Sequence, residues 1–239
     1  MFRFKQFNIT DKHSAMKIGT DGVLLGAWAL TGRKPLRIVD VGCGSGLIAI
    51  MLAQRFNDAH IVGVEIDPLA AMDAQTNVAN SPWSDRIEII NADFMTYTPP
   101  FAPDAIVSNP PYFDEPIKSP DTRRNNARHQ DTLNIDSLIS RASSLLGNDG
   151  ILSVILPAKT SDDIIYKTSI NHIDITHITH VKSHPSAPSA RTMYEGIKGI
   201  SSQYAVDYLN IYKDNSTVYS DEYRQLTQDF YLNSTFDKS

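Results

Sequence analysis

A single cysteine, Cys43, is all that this chain of 239 residues contains. That excludes an internal disulfide and any metal site built on a cysteine cluster. Long apolar runs are missing as well, and nothing approaches the roughly 18 consecutive residues that a membrane-spanning helix needs. The opening Met1-Phe-Arg-Phe-Lys-Gln-Phe has no continuous apolar stretch ahead of a small-residue cleavage site, so no secretory leader is expected. Positive charge is in deficit: a formal net charge of −5 argues against a protein that coats nucleic acid electrostatically. These absences leave a cytoplasmic protein, expected to work without metal or membrane; its oligomeric state stays open, with a monomer the favoured reading.

The positive charge that is present is gathered in places. Arg3, Lys5, Lys12, Lys17, Arg33 and Lys34 lie near the start, and Lys118, Arg123, Arg124 and Arg128 fall close together. Acidic residues collect toward the other end, from Asp207 to Asp237.

From residue 36 onward short apolar runs alternate with amphipathic stretches. Strands are expected at Leu36–Val41, His60–Glu65, Arg86–Asn91, Asp104–Ser108, Gly150–Leu156 and Asp174–Val181. Helices are expected over Ser45–Phe56, from the Asp67-Pro68 cap to Asn80, over Ile135–Leu146, and over Ser161–Ser169 with Ser161 as its cap. Ser201–Tyr212 alternates as an antiparallel strand, and Tyr219–Leu232 reads as a closing helix. The loops around 112–130 and 182–199 are long and polar. This spacing predicts an α/β fold, a mostly parallel sheet covered on both faces. Function in such a sheet sits at the carboxyl ends of the strands.

The first strand ends in Asp40-Val41-Gly42-Cys43-Gly44-Ser45-Gly46. Glycine at every second position lets the backbone turn tightly and approach a ligand with no Cβ in the way. A nicotinamide dinucleotide site wants glycine at the sixth position of the motif. Leu47 stands there, which favours close contact with an uncharged or zwitterionic ligand over a diphosphate. Glu65 ends the second strand, where a carboxylate can take both hydroxyls of a ribose; the alternative is a plain surface acid. Asp67 is better explained as a helix cap. After the third strand comes Asn91-Ala92-Asp93-Phe94. Asp93 can accept from an adenine amino group while Phe94 stacks on the ring, or the pair is a loop acid beside a core aromatic.

Together these features resemble the cofactor site of the seven-stranded S-adenosyl-L-methionine methyltransferases, a three-layer Rossmann-like fold with an antiparallel last strand. The resemblance implies that Asp40, Gly42, Gly44 and Gly46 lie near the methionine part, that Glu65 holds the ribose and that Asp93 contacts the adenine.

Asn109-Pro110-Pro111-Tyr112 follows the fourth strand directly. Two prolines fix φ and remove two backbone donors, and Pro110 pushes Asn109 toward an extended conformation. A stiff corner results, with carbonyl acceptors, an amide oxygen and an aromatic face. It suits an amino group conjugated to a ring or carbonyl, whose delocalised lone pair makes it a poor nucleophile. The Asn109 side-chain oxygen and the Pro110 carbonyl can take its two hydrogens and favour a pyramidal nitrogen, while Tyr112 stacks on the flat substrate. No metal and no strong base is required, because the proton can leave after methyl transfer. The tetrad looks like the catalytic motif of methyltransferases acting on adenine, cytosine or glutamine amide nitrogen.

Phe4-Lys5-Gln6-Phe7 and the run Met16-Lys17-Ile18-Gly19-Thr20-Asp21-Gly22-Val23-Leu24-Leu25 are similar to the opening of one family. It is the bacterial tRNA1(Val) adenine-N6 methyltransferases, which modify the adenosine beside the anticodon. The resemblance runs through residues 1–130, including Ala127-Arg128-His129, and is looser beyond about 170. It implies tRNA as the partner. It also implies that residues 1–35 form an extension over the cofactor site, with Thr20 and Asp21 as contacts, and that 36–239 form the methyltransferase domain. Thr20-Asp21-Gly22 is equally a turn and helix cap before Val23–Leu30. Arg123, Arg124, Arg128, His129, Lys182 and Arg191 are candidates for RNA contact, with His184 and Lys198 extending that surface.

A release-factor glutamine methyltransferase shares the tetrad, but the stretch before the first strand leaves no room for the helical domain such enzymes carry. A sequence-specific DNA enzyme would need a recognition domain. A binding protein without turnover would not need the Asn109–Tyr112 acceptors.

Overall fold

The computed structural model describes residues 1–14, 17–111, 134–160, 163–199, 203–214 and 216–236. Two short strands, β1 (Phe2–Arg3) and β2 (Asn8–Ile9), pair at the start, and α1 (Thr20–Trp28) follows. The alternation then begins with β3 (Arg37–Val41), α2 (Leu47–Arg55), β4 (His60–Glu65), α3 (Pro68–Ala79), β5 (Ile87–Asn91) and β6 (Ala105–Ser108). It continues with α4 (Ile135–Leu145), β7 (Ile151–Pro157), α5 (Ile164–Ile170), β8 (Ile173–Lys182), β9 (Ser189–Lys198) and β10 (Ala205–Asn210). Short helices α6 (Asp221–Thr227) and α7 (Asn233–Phe236) close the chain.

The main sheet has eight strands among the described residues, in the order β10-β8-β9-β7-β6-β3-β4-β5. Only β9 runs against the others. Two expectations are corrected here. The antiparallel strand is Ser189–Lys198, inside the segment read as a polar loop. The expected antiparallel strand over Ser201–Tyr212 is β10, which lies parallel to β8 at the edge. Polar residues hid β9: Thr192 and Glu195 are buried, and Glu195 is satisfied by the Leu30 amide and the Ser153 hydroxyl at 2.8 and 2.9 Å. A buried acid breaks the apolar alternation on which strand reading depends.

Side chains of β3 alternate between two cores. Ile38 joins the cluster of Leu24, Ile50 and Met51 under α1 and α2, and Val39 and Val41 join Leu138 and Ile139 of α4 on the other face. N-caps open the helices. Asp67 accepts from the Leu69 amide at 2.8 Å and opens α3 with Pro68 at its first position. Asn134 caps α4 through the Ser137 amide. The α5 N-cap is Asp163, and the expected cap Ser161 lies outside the described residues.

The N-terminal residues are fastened to the body by aromatics. Phe4 stacks on Phe7 with centroids 4.5 Å apart and on Tyr231 at 5.8 Å. Phe7 meets Trp83 edge-on at 6.0 Å. Among the described residues no helix is long and apolar enough to cross a membrane, and no group of three or more His, Cys, Asp or Glu is placed to hold a metal ion.

Candidate active site at the carboxyl edge

In the parallel register Val41 of β3 lies beside Val64 of β4 and Ser108 of β6. The glycine turn, the acid ending β4 and the Asn-Pro corner therefore leave the sheet side by side, at a strand spacing of about 4.8 Å. Ser108 adds a fastening, its hydroxyl donating to the Val41 carbonyl at 2.8 Å.

Gly42, Gly44 and Gly46 hold φ of 67°, 54° and 80°, left-handed values that tolerate little but glycine. A Cβ on Gly42 or Gly44 would meet no protein atom within 4 Å, so backbone there is open to a close ligand. The turn is folded onto β4: the amides of Gly42 and Cys43 both donate to the Val64 carbonyl, at 2.8 and 3.2 Å. Cys43 is buried, and burial pushes its thiol well above the ordinary range, which leaves it a packing residue. Gly63 makes room for it, since a Cβ there would come within 2.9 Å of the Cys43 sulfur.

Glu65, only 8% exposed, is pre-aimed. Its Oε2 accepts from the Gly44 amide at 2.8 Å and its Oε1 from the Asp67 amide at 2.9 Å. Each oxygen keeps a second lone pair. Burial raises the carboxyl pKa against the lowering pull of the Asp67 and Gly44 amides. Asn91, not singled out in the sequence, holds the neighbouring loop by donating to the carbonyls of Glu65 and Ile66 at 2.8 and 3.1 Å.

Asp40 is fully buried at the end of β3. Its Oδ2 accepts from the Ala49 amide in the first turns of α2 at 3.0 Å, while Oδ1 is buried with no hydrogen-bond partner. Desolvation pushes the carboxyl up to about 7, with the Ala49 amide opposing and the charge of Glu65 adding to the rise. An unpartnered buried acceptor costs about 1–3 kcal/mol, a cost that a cationic donor arriving at this site would relieve.

Asp93 forms a turn, its Oδ1 accepting from the Met95 amide at 2.9 Å, and it stays exposed. Phe94 departs from the stacking expectation. Its ring is 4% exposed and belongs to the core beneath α4 with Val39 and Leu138. Burying an aromatic of this size gains about 2 kcal/mol, which outweighs displaying it at the rim.

α1 begins at Thr20 with Gly19 as N-cap and no side-chain cap bond, so the expected cap by this triplet is not formed. Thr20 is exposed at the helix start. Asp21 accepts from Arg191 Nε at 2.7 Å, tying α1 to the start of β9. Arg191 is thus engaged within the protein. Lys198 is taken up likewise, donating to the carbonyls of Ser143 and Leu146 at 2.6 and 2.8 Å. Lys182 stays at the carboxyl edge, its Nζ 5.3 Å from the Tyr208 ring centre. Of the tetrad, Asn109, Pro110 and Pro111 are placed at the end of β6, with Pro110 buried. Tyr112, Arg123, Arg124, Arg128 and His129 lie outside the described residues.

Sheet order and glycine turn define a Rossmann-like methyltransferase. Residues 17–179 match the Methyltransferase small domain model. A predicted O-methyltransferase from Agrobacterium tumefaciens shares the fold with a TM-score of 0.70, at 21% identity over 87% of this chain and 96% of that one. Two bacterial proteins are similar over nearly their whole length. The tRNA1(Val) (adenine(37)-N6)-methyltransferase of Bacteroides thetaiotaomicron is 40% identical over 97% of both chains. That of Phocaeicola vulgatus is 42% identical over the same shares. This chain belongs to the bacterial tRNA1(Val) (adenine-N6)-methyltransferase family. Its cofactor is S-adenosyl-L-methionine, and the residues present fit that ligand. The orphaned Asp40 oxygen suits a ligand that carries positive charge, and the open backbone at Gly42 and Gly44 admits its close approach.

Proposed function

We propose that this chain methylates the exocyclic N6 of the adenosine beside the anticodon of tRNA1(Val), acting in the cytoplasm. The observation that carries the reading is the Asn109-Pro110-Pro111 corner standing one strand from the glycine turn. The near full-length likeness to enzymes named for that reaction supports it.

When bound, the cofactor supplies an electrophilic methyl carbon on a positively charged sulfur. Glu65 accepts from the two ribose hydroxyls with the lone pairs that Gly44 and Asp67 leave unused. Asp93 accepts from the adenine amino group, and Asp40 favours the positive charge of the methionine part from beneath the turn. With no Cβ and no protein atom in the way at Gly42 and Gly44, the ligand can lie against backbone there. Residues 1–35 act as a cover for this site, with Thr20 and Asp21 at its rim.

At the corner the Asn109 side-chain oxygen and the Pro110 carbonyl accept the two N6 hydrogens. Held this way, the nitrogen loses conjugation with the ring and its lone pair points toward the methyl carbon. The same oxygens would stabilise the positive charge that grows on nitrogen as it takes the methyl carbon and the sulfur leaves as a neutral thioether. The surplus proton then passes to solvent. Tyr112 stacks on the adenine, and Arg123, Arg124, Arg128 and His129 meet the flanking RNA.

Incubation with methyl-labelled cofactor and total RNA from a strain lacking the gene, followed by nucleoside mass spectrometry, tests the reading. Label is expected in N6-methyladenosine from tRNA. Label appearing instead in methylglutamine of a protein would overturn it.

A further inference from the structure

The reading above makes no use of an aromatic and basic surface on β8 and β10. Tyr208 lies opposite His180 in the parallel register, with the two rings 5.4 Å apart. The ammonium of Lys182 sits 5.3 Å from the centre of the same tyrosine ring. Side chains alternate along a strand, so Tyr208 and Val206 share the face of His180 and Lys182. Asp207 turns to the opposite face, where it is bonded to His177 at 2.7 Å. Tyr208 is 62% exposed and Val206 45%.

We propose that Tyr208, flanked by Lys182 and His180, is a stacking platform for an unpaired base of the RNA that carries the target adenosine; the inference rests on the tRNA reading. Three observations point to RNA. Tyr208 is exposed with the Lys182 ammonium over its ring, which puts an aromatic surface and a cation together for the base and the phosphate of one nucleotide, the pairing on which single-strand binders rely. The nearby carboxylates are occupied: Asp207 faces away, and Asp214 is engaged by Ser186 at 2.9 Å and by His184 at 3.6 Å. Position agrees as well, since β8 and β10 run parallel to β6 and end on the same edge as Asn109.

β8 and β10 stand three and four places from β6 in the strand order. At about 4.8 Å per strand the platform is roughly 14–19 Å from the reacting corner. With about 3.4 Å per stacked nucleotide, that reaches a base roughly four to six nucleotides from the target. A peptide strand added to β10 would pair with its backbone and have no need of the tyrosine ring.

Binding of a tRNA1(Val) transcript is measured for the wild type, Tyr208→Ala, Tyr208→Phe and Lys182→Ala over a range of salt. Tyr208→Ala is expected to weaken Kd about tenfold, the scale of one lost stack, with Tyr208→Phe within about twofold of wild type. Lys182→Ala is expected to reduce the slope of log Kd against log salt by about 0.9. Cofactor Kd by calorimetry stays at the wild-type value in all three, which also reports an intact fold. In a second measurement, the fluorescence of Tyr208→Trp is quenched by an anticodon-loop oligonucleotide beyond the quenching seen in wild type. Unchanged binding by Tyr208→Ala, or no added quenching, overturns the platform while wild-type tRNA methylation persists. A wild type that neither binds nor methylates tRNA brings down the tRNA reading and the platform with it.

Discussion

Along the carboxyl edge the sheet changes character between β3–β5 and β8–β10. In the first wing the acids and the glycine turn are aimed by backbone bonds. Glu65 is fixed by two amides, Asp40 by one, and the glycine turn by the Val64 carbonyl. In the second wing Tyr208 is exposed on an edge strand, with Lys182 and His180 beside it. The difference follows from what each wing meets. A small ligand of fixed shape is bound best by acceptors that need no reordering. A polymer that arrives in many conformations is met best by stacking surfaces, which accept any flat base. The Asn109 corner stands between the two wings, so its loss should break catalysis without disturbing either. For Asn109→Ala the turnover is expected to fall about 100- to 1000-fold, the scale of one lost transition-state acceptor. Cofactor Kd should stay within about twofold. Equal loss in both, read by single-turnover kinetics and calorimetry, would move Asn109 into the cofactor wing.

Within that wing Glu65 is the residue to break. Glu65→Ala removes two charge-assisted hydrogen bonds and the brace on Gly44, and cofactor Kd should rise about 100-fold. Titration calorimetry showing no change would exclude Glu65 from the site. Asp40 gives a smaller, pH-dependent effect. Its carboxyl is raised to about 7 by burial, so the free protein holds it protonated below that pH. A cationic ligand favours the ionised form, and binding on the acid side must therefore expel a proton. Cofactor Kd should rise by up to about tenfold per pH unit below 7 and level off above it. For folding the sign is opposite. The raised carboxyl favours the folded state most at low pH, and that contribution shrinks as pH climbs toward 7. Asp40→Asn should flatten the binding profile; an unchanged slope would assign the titration to another group.

The cofactor wing was the more legible of the two for a physical reason. Gly42, Gly44 and Gly46, Glu65, the Asp67-Pro68 cap and Asn109-Pro110 are constrained locally by φ or by a strand end, and such constraints are written in residue type and spacing. β4 emerged with the bounds read for it, and β3, β5, β6, β7 and β8 within two residues of theirs. What stayed hidden depends on distant partners. Glu195 reads as a surface acid until Leu30 and Ser153 are brought to it, and so β9 passed for a loop. Phe94 follows Asp93 in a turn that reads as a ligand site, yet its place is decided by Leu138 and Ile139 far along the chain. Ser220 caps α6 and a second short helix follows, where the sequence indicates one helix over Tyr219–Leu232.

The smallest expected effect concerns how the N-terminal segment joins the cofactor wing. Asn77 of α3, buried, donates to the carbonyls of Thr10 and Ser45 at 2.8 and 2.9 Å and accepts from the Thr10 amide at 2.9 Å. One turn earlier Asp73 accepts from the amides of His13 and Ser14 at 2.7 and 3.0 Å and from the His13 ring at 2.8 Å. Burial raises the Asp73 carboxyl, but the His13 and Ser14 bonds outweigh it and hold the group below its usual range. α3 thus joins residues 10–14 to Ser45 in the glycine turn. A ligand that orders the turn should also order the segment, and the coupling must be reciprocal. Asn77→Ala removes one bond of about 1 kcal/mol to the turn, so cofactor Kd should rise about fivefold with turnover at saturation nearly unchanged. In the wild type, added cofactor should slow tryptic cleavage after Lys12, and in Asn77→Ala that protection should weaken. Cleavage indifferent to cofactor in the wild type would show that segment and turn are packed together without being coupled, and the cofactor wing would then end at α3.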